Sequence, residues 1–319
     1  MAVHVLALDI GGTKLATAAV HETGDVLAER MQATSASAAP SGILDTLFAM
    51  AEETLAEAGL SRDDLSGVGV SFGGPVDFAG GKAVTCHHLP GWENYALRDV
   101  IADRTGLPTI VDNDANAAAL GEVMFGAARG RRHVLYLTVS TGVGGALVLD
   151  GRVHRGAGSM AGEIGHTVVV PDGPVCTCGQ RGCLEAVASG PAIARAAREE
   201  IAAGKSTVLA AVPACDLTAK HVAEAAPRDA VAARVLADAG RHLGMAIAAA
   251  VNLINPELVV IGGGVSQAGE ALFGPIRTTV SRLAAAESVR DLRIVPGTLG
   301  QRGGLLGAAA LALSRRAAG

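Results

Sequence analysis

Residues 3–20 read VHVLALDIGGTKLATAAV, which is two apolar runs separated by the turn sequence Gly11-Gly12-Thr13-Lys14. Each run has the length and aliphatic character of a buried strand, and the glycines favour a tight turn between them. A second turn, Thr23-Gly24-Asp25, leads into a third apolar segment at 26–30. This stretch therefore predicts a strand, glycine turn, strand, turn and strand at the start of the fold.

The same order of features returns about 125 residues later, where residues 134–151 read VLYLTVSTGVGGALVLDG. Thr141-Gly142-Val143-Gly144 is the turn, and residues 152–155 form the third segment. Two such units in one chain indicate an internal duplication. Helical apolar periods at 43–58, 115–125, 191–203, 228–251 and 269–283 alternate with apolar strands, which is typical of α/β layers.

Composition narrows the class of protein. A chain of 319 residues that is 50% hydrophobic can bury a sizeable core and favours two domains. The net charge of −5 argues against a nucleic-acid partner. No apolar run is long enough to span a membrane, and no basic leader precedes Val3. The chain has five cysteines, and three of them cluster with a histidine as potential metal ligands, which indicates a reducing compartment rather than a set of disulfides. We therefore expect a cytoplasmic protein that binds neither nucleic acid nor membrane.

A candidate metal site lies in residues 163–185, EIGHTVVVPDGPVCTCGQRGCLE. Its potential ligands are one imidazole and three thiols: His166, Cys176, Cys178 and Cys183. Cys3His is the ligand set of a closed, structural zinc site, and the glycines and prolines allow the tight turns it needs. The alternative is a redox pair or buried small side chains. Glu163 and Glu185 flank the segment, and a metal that fixed the loop would pre-set both to accept hydrogen bonds from a polyol.

The glycine turns are candidate phosphate sites. Glycines let backbone N–H groups approach an anion closely, and the two turns occupy the same place in the two units. We expect the pair to hold the phosphates of a nucleotide, with Asp9 near its magnesium ion. Two better-known motifs fail: Gly204-Lys205-Ser206 lacks the first glycine of a P-loop, and Gly262-Gly263-Gly264 lacks the third glycine of the dinucleotide fingerprint.

Asp114 lies at a predicted strand-to-helix junction beside Asn113. One interpretation makes it the helix N-cap, a position that Asp fills well. The other makes it a general base that points out of the junction. Spacing alone does not decide between them. His87 and His88 precede a turn, and a solvent-facing loop is the preferred interpretation for both.

Four stretches together resemble the ROK family of bacterial sugar kinases: LALDIGGTKLATAAV, VDNDANAAALGE, LTVSTGVGGALVLDGRVHRGAGSMAGEIGH and CTCGQRGCLE. The resemblance runs nearly end to end. It implies an α/β, actin-like ATPase fold of two lobes with ribonuclease-H-like cores, between which nucleotide and sugar meet in a cleft. We expect a smaller lobe at 1–117 and a larger one at 118–302 with a zinc-binding insertion at 163–185. A C-terminal helix at about 303–319 should pack back on the smaller lobe.

The resemblance also implies residue roles. Asp114 would be the catalytic base that takes the proton of the sugar hydroxyl. The sugar would be bound by Gly74, Asn113, Asp114, Glu163, His166 and Glu185, with His166 also on zinc. The phosphates of ATP and Mg²⁺ would be held by Asp9, Gly11, Gly12, Thr13, Lys14, Thr141 and Gly142. Gly263 and Gly264 would lie against the adenosine.

The implied reaction is ATP-dependent phosphorylation of a hexose at its C6 hydroxyl, with glucose as the first expectation and glycolysis as its setting. An N-acetylglucosamine or N-acetylmannosamine kinase is the alternative, a non-catalytic sugar sensor is the rival from another class, and polyphosphate is an alternative donor. Residues 71–77, SFGGPVD, depart from the Ala-Pro-Gly-like segment of many glucose-type members. Phe72 in the cleft would exclude an N-acetyl group, whereas Phe72 in the core would leave the double glycine to admit one.

Two further expectations follow. The family's repressors carry an N-terminal helix-turn-helix, and a first strand that begins at Val3 leaves no room for one. We also expect a homo-oligomer, either a dimer or a tetramer.

Overall fold

The structure is a computed structural model of the chain and describes residues 2–35, 38–86 and 89–314. His87 and His88 lie outside the described residues, as does the part of the predicted C-terminal helix beyond residue 314. The described strands are β1 (His4–Ile10), β2 (Lys14–His21), β3 (Val26–Ala33), β4 (Leu65–Phe72), β5 (Val76–Asp77), β6 (Lys82–Ala83), β7 (Thr109–Asn113), β8 (Val134–Val139), β9 (Val143–Leu149), β10 (Arg152–His154), β11 (Leu258–Gly262) and β12 (Arg293–Pro296). The described helices are α1 (Pro40–Ala58), α2 (Leu97–Thr105), α3 (Asp114–Phe125), α4 (Leu184–Ala188), α5 (Gly190–Ala202), α6 (Ala219–Ala225), α7 (Ala230–Ile254), α8 (Glu270–Leu283), α9 (Ala286–Val289) and α10 (Gly303–Ser314).

The first sheet has the strand order β3, β2, β1, β4, β7. Strand β1 pairs antiparallel with β2, which pairs antiparallel with β3, while β4 and β7 extend the sheet in parallel. Six consecutive residues of β1, from Val5 to Ile10, are buried, as expected for a central strand covered on both faces. The predicted glycine turn joins β1 to β2.

The second sheet repeats this arrangement with the order β10, β9, β8, β11, β12. Strand β8 pairs antiparallel with β9 and parallel with β11, which pairs parallel with β12. The two sheets correspond strand for strand in order, and their shared pairings have the same direction. The predicted duplication of the strand-turn-strand units is therefore confirmed.

Most predicted elements are present, and the differences have local causes. Helix α7 begins at Ala230 rather than at the predicted residue 228, because the Asp229 carboxylate accepts hydrogen bonds from the N–H groups of Val231 and Ala232. The short helix α4 and the hairpin of β5 and β6 were not predicted. Elements of two to five residues are too short to show an apolar period.

Helix α10 packs against α3, β4 and β1. Its approach is close enough to require glycine at two contacts. A Cβ on Gly69 in β4 would lie 1.7 Å from the Ala308 carbonyl oxygen, and a Cβ on Gly307 would lie 2.4 Å from the backbone of Ala117 in α3. Small residues on α3 and α10 thus bring the last helix onto the sheet of the first unit.

The chain divides into two compact units. The first takes Met1–Gly130, Arg152–Ala161 and Gln301–Gly319, so far as these residues are described, and the second takes Arg131–Gly151 and Gly162–Gly300. The expected boundary at 117/118 would cut α3, whereas the observed division keeps that helix whole in the first unit. Each unit has its own apolar core, one around β1 and α1 and the other around β8, β11 and α7.

Among the described residues, no helix combines the length and the apolar character needed to cross a membrane.

Candidate active site

Asp9 lies near the carboxyl end of β1 and is buried. Its Oδ1 accepts a 2.7 Å hydrogen bond from the Ser71 hydroxyl, and its Oδ2 lies 3.8 Å from Lys14 Nζ. Burial raises the pKa of Asp9, and the Ser71 hydrogen bond and the Lys14 charge only partly oppose this rise. Because burial disfavours the ionised form of Asp9, a nearby cation would stabilise its carboxylate. Mg²⁺ commonly binds through one or two carboxylates plus substrate phosphates.

The first glycine turn lies beside Asp9. The Gly11 N–H donates to the Lys14 carbonyl at 3.0 Å, and the Thr34 hydroxyl donates to the Gly11 carbonyl at 2.7 Å. Lys14 Nζ also donates to the Gln301 carbonyl at 3.2 Å. The first unit therefore brings the predicted group Asp9, Gly11, Gly12, Thr13 and Lys14 together at one corner of its sheet.

Gly304, near the start of α10, belongs to the same corner, and no pattern in the sequence indicated it. A Cβ at this position would lie 2.5–2.7 Å from the carboxyl atoms of Asp9. The α10 backbone thus approaches the Asp9 carboxylate so closely that a side chain at position 304 would displace the carboxylate or the helix. Glycines are common in the C-terminal stretch, and a contact over almost 300 residues leaves no local pattern.

The junction of β7 and α3 settles which residue caps the helix. Asn113 is the N-cap: its Oδ1 accepts from the N–H groups of Ala115 at 2.9 Å and Asn116 at 3.4 Å. Asp114 is the first residue of the helix and is exposed, and its Oδ1 accepts from the Ala115 N–H at 2.8 Å. The interpretation of Asp114 as the N-cap is therefore wrong, because the cap position falls one residue earlier.

The stretch from Ser71 to Asp77, which ends β4 and contains β5, lies against this junction. Asn113 Nδ2 donates to the Gly74 carbonyl at 3.1 Å. Phe72 is fully buried, with its ring 5.0 Å from that of Trp92, so it packs in the core. The double glycine does not open space in its place: a Cβ on Gly74 would lie 2.5 Å from the Thr85 carbonyl oxygen, and one on Gly73 would lie 3.3 Å from that of Ile10. The loop glycines are explained by backbone packing.

Asp112 and Arg155 are part of the junction, and neither was singled out from the sequence. Arg155 Nε and Nη2 donate to Asp112 Oδ2 at 2.9 and 2.7 Å, and Asp112 is only 1% exposed. The pairing joins residues 43 positions apart. No periodic pattern reports such a contact.

In the second unit, the turn at Thr141 and Gly142 contacts Glu185. The Glu185 Oε2 accepts a 3.0 Å hydrogen bond from the Val143 N–H, and a Cβ on Gly142 would lie 2.5 Å from the same oxygen. Glu185 Oε1 accepts from the Thr177 hydroxyl at 3.0 Å. The carboxylate that was expected to face a polyol therefore also links the glycine turn to the cysteine segment.

Gly263 and Gly264 follow the end of β11. Gly263 has a φ of 82°, which favours glycine, and a Cβ there would lie 2.3 Å from the Val139 carbonyl oxygen at the end of β8. Gly264 has open space around its Cα. The end of β11 thus lies beside the end of β8, where the second glycine turn begins.

Four metal-ligand side chains converge in the second unit. The ligand atoms of His166, Cys176, Cys178 and Cys183 all lie within 4.8 Å of one another. The Sγ atoms of Cys178 and Cys183 are 3.7 Å apart, and His166 Nδ1 lies 3.8 Å from Cys176 Sγ. A tetrahedral ion with Zn–S bonds of about 2.3 Å separates its sulfurs by about 3.8 Å, so the spacing fits zinc.

The electrostatics of the cluster favour a cation. Burial and the neighbouring cysteines raise the pKa of the Cys183 thiol to about 12, so three adjacent thiolates would be unfavourable without a metal. A divalent ion reverses this effect, because it binds thiolates directly. Tight turns shape the loop, with positive φ at Gly179 and Gly182.

His166 and Glu163 lie side by side at the edge of the cluster. With Nδ1 toward Cys176, His166 turns Nε2 toward Glu163, whose Oε2 is 3.8 Å away. A metal on Nδ1 would fix the imidazole tautomer and leave Nε2 as an N–H donor. The second unit therefore brings His166 Nε2, the Glu163 carboxylate and the Glu185 carboxylate together beside the cysteine cluster.

Known proteins of one family are similar to this chain over nearly its whole length. The family model described as "ROK family" matches residues 5–315. The chain is 38% identical to the glucokinase of Thermotoga maritima, covering 98% of each sequence. It is 36% identical to the N-acetylmannosamine kinase of Citrobacter koseri, covering 96% of this chain and 98% of that one.

Among solved structures, a ROK family glucokinase from Streptomyces griseus, in complex with glucose and AMPPNP, is similar to this chain. The TM-score is 0.83 at 35% identity, over 98% of this chain and 99% of that one. This similarity confirms the predicted fold class, the actin-like ATPase fold with two sheet-containing lobes.

Proposed function

The chain belongs to the ROK family, and on that premise we propose that it transfers the γ-phosphoryl group of ATP to glucose and so is a glucokinase. The observation that carries the proposal is the exposed Asp114 carboxylate at the start of α3, in a chain 38% identical to a glucokinase over 98% of its length. Asn113 is the N-cap, so capping does not explain the acid at position 114; its negative charge suits the helix N-terminus, and its carboxylate is exposed.

Asp114 would act as the general base. When the C6 hydroxyl lies within hydrogen-bond distance, the carboxylate accepts its proton as the sugar oxygen bonds to phosphorus and the bond to ADP breaks. Asn113 would orient the sugar beside it. Its Oδ1 is used by the cap and its Nδ2 donates to Gly74, which holds the amide in one orientation.

The donor side would use the two glycine turns. Asp9 would hold Mg²⁺ and Lys14 would hold phosphate oxygens, together with the backbone N–H groups of Gly12 and Thr13. Gly11, whose N–H donates to the Lys14 carbonyl, would keep the turn tight enough for this approach. Thr141 and Gly142 would also bind phosphate oxygens, and Gly263 and Gly264 would contact the adenosine. Bound Mg²⁺ neutralises charge on the transferring phosphoryl group. Burial raises the pKa of Asp9, so a cation beside it would stabilise the ionised carboxylate, which supports the proposed position of Mg²⁺.

The cysteine cluster would bind a structural Zn²⁺ through His166, Cys176, Cys178 and Cys183. Four protein ligands leave no open coordination position, so the ion would order the loop and take no part in the reaction. The ordered loop would then present Glu163, Glu185 and His166 Nε2 to the hydroxyls at the other end of the sugar.

The closest alternative is an N-acetylated amino-sugar kinase, which the similarity to N-acetylmannosamine kinase favours. We therefore propose a measurement of ADP formation with ATP and, separately, glucose, N-acetylmannosamine and N-acetylglucosamine. A glucokinase should give a kcat/KM for glucose about tenfold or more above both acetylated sugars, because polar groups that the wrong sugar leaves unpaired lower its rate. The opposite order would overturn glucose as the substrate while keeping the kinase.

Two analogues sharpen this experiment. 2-Deoxyglucose should be a poorer substrate, since a hydrogen-bonding group of the site is left unpaired, and 6-deoxyglucose should bind without accepting phosphate. Sugar binding without ADP formation from any hexose would identify a sensor.

Replacement of ATP by polyphosphate tests which compound donates the phosphoryl group. A cytoplasmic location and a dimer or tetramer remain predictions, the latter checked by light scattering after gel filtration.

A further inference from the structure

The Arg155 guanidinium is held by several directed contacts at once. Two of its nitrogens donate to Asp112 Oδ2, a third donates to the Val153 carbonyl at 3.2 Å, and its guanidinium carbon lies 3.5 Å from the centre of the Phe78 ring. The side chain is 21% exposed. An arginine held by both a forked ion pair and an aromatic face has little freedom to move.

The other oxygen of Asp112 reaches the start of α3. Asp112 Oδ1 accepts from the Asn113 N–H at 2.8 Å and from Asn116 Nδ2 at 3.0 Å. Asn113 is the residue that caps the helix, and Asp114 follows it. One buried carboxylate therefore bonds Arg155 with one oxygen and the first turn of α3 with the other.

Arg155 is also the first residue of a segment, 155–161, that leads along the chain to Glu163, one of the proposed sugar-binding residues. The Ala161 N–H donates to the Arg155 carbonyl at 3.0 Å, and the Phe78 N–H donates to the Ser159 hydroxyl at 3.3 Å. These bonds close residues 155–161 into a loop on the first unit. Gly162 and Glu163 follow directly.

We propose that Arg155 is a positioning residue for phosphoryl transfer, which holds Asp114 in its reactive place through Asp112 and anchors the loop 155–161. This rests on the proposed function, in which Asp114 is the base. Arg155 touches neither Asp114 nor a reacting atom in these contacts, so it acts through the carboxylate between them. A displacement of about 1 Å in a reacting group can cost about 10²-fold in rate, which makes the pair a sensitive point.

The test replaces Arg155 by Met, which keeps an apolar stem but removes the donors. Arg104→Met is the matched control: Arg104 also combines an ion pair, with Asp45 at 2.5 Å, and an aromatic contact, 4.3 Å from the Phe48 ring centre, but it is 48% exposed and belongs to α2. We expect kcat to fall about 10²-fold in Arg155→Met and to stay within about twofold of wild type in the control. Arg155→Lys, which keeps the charge without the fork, should fall between them.

A double variant separates positioning from stability. Arg155→Met leaves a buried carboxylate unpaired and should lower Tm, whereas Arg155→Met with Asp112→Asn removes that charge and should recover much of the loss. We expect kcat to stay low in the double variant, because the forked contact is still absent. Recovery of kcat along with Tm would overturn the proposal and leave the pair a purely structural one.

Hydrogen exchange provides a readout that does not need activity. Peptides covering 110–118 and 155–161 should both exchange faster in Arg155→Met than in wild type, and neither should change in Arg104→Met. Faster exchange in 155–161 alone would overturn the link to α3. If wild type formed no ADP with any hexose, the proposed function would fail, and the exchange of these two peptides would still decide whether Arg155 holds the start of α3.

Discussion

Asn113 and Asp114 are neighbours that we expect to separate stability from turnover. The perturbations are Asn113→Ala and Asp114→Asn, each made singly. Asn113 supplies the cap and a bond to the Gly74 carbonyl, so its loss acts on the folded state. Asp114 is exposed, and asparagine keeps an oxygen that can accept from the Ala115 N–H, so the substitution removes the negative charge and with it the basic carboxylate.

The magnitudes follow from these contacts. Loss of a cap costs about 1 kcal/mol, and loss of the amide bond to Gly74 costs about 1 kcal/mol more. At about 2–4 °C per kcal/mol for a unit of this size, Asn113→Ala should lower Tm by roughly 4–8 °C. Asp114→Asn should change the unfolding free energy by less than about 0.5 kcal/mol but lower kcat by about 10²–10⁴-fold, as expected for removal of a general base.

The assay measures ADP release with glucose at saturating ATP, together with thermal unfolding of each variant. Circular dichroism at the assay temperature verifies that both variants are folded. If Asp114→Asn turned over glucose within about threefold of wild type, Asp114 would not be the base, and the proposed mechanism would be wrong. A marked loss of Tm in that variant with little change in Asn113→Ala would instead refute the assignment of the cap.

Three further predictions concern the metal cluster and the Asp9 corner. Elemental analysis should give about one zinc per chain in the wild-type protein; Cys178→Ser should lose this zinc and glucose binding with it, whereas the exposed Cys215→Ser should keep both, and full sugar binding by a metal-free Cys178→Ser protein would contradict this. Because the pKa of Asp9 is raised by folding, its ionisation costs stability that grows as pH rises from the unfolded pKa to the folded pKa and is constant above it. Asp9→Asn without Mg²⁺ should therefore have the higher Tm at pH 8, by a margin that shrinks toward pH 4, while kinase activity is lost; a lower Tm at pH 8 would refute the reasoning. Gly304→Ala should raise the KM for MgATP about tenfold or more with unchanged glucose affinity, whereas Gly303→Ala, whose Cβ meets no atom within 4 Å, should behave as wild type.

Much of the fold could be predicted from the sequence because its signals are local. Apolar runs around glycine turns indicate strands, and their recurrence at 134–155 predicted a duplicated strand-turn-strand unit, whereas the matching strand order of the two sheets came from the structure. The signal for the cysteine cluster was also local, because three thiols and an imidazole within 18 residues predicted the four side chains that converge in the structure. The resemblance to the family supplied what periodicity does not, which is the expected role of each residue.

Other features depended on contacts that no short stretch contains. The boundary between the units was expected at 117/118, but α10 packs on α3 and keeps that helix in the first unit. Phe72 had two interpretations, which differed only in the direction of one side chain, and the structure buries it against Trp92. The volume available beside the sugar could not be inferred from residue types in a loop.

The sequence by itself determined the strands, the turns, the duplication and the ligand set of the cysteine cluster, because each follows from periodicity or spacing along the backbone. Only the tertiary structure decided that Asn113 caps α3, that Arg155 pairs with the buried Asp112, and that Gly304 lies against Asp9. The physical reason is that a cap depends on where helical backbone begins to within one residue, and that pairs 43 or 295 positions apart meet only when packing of the whole unit brings their backbones together.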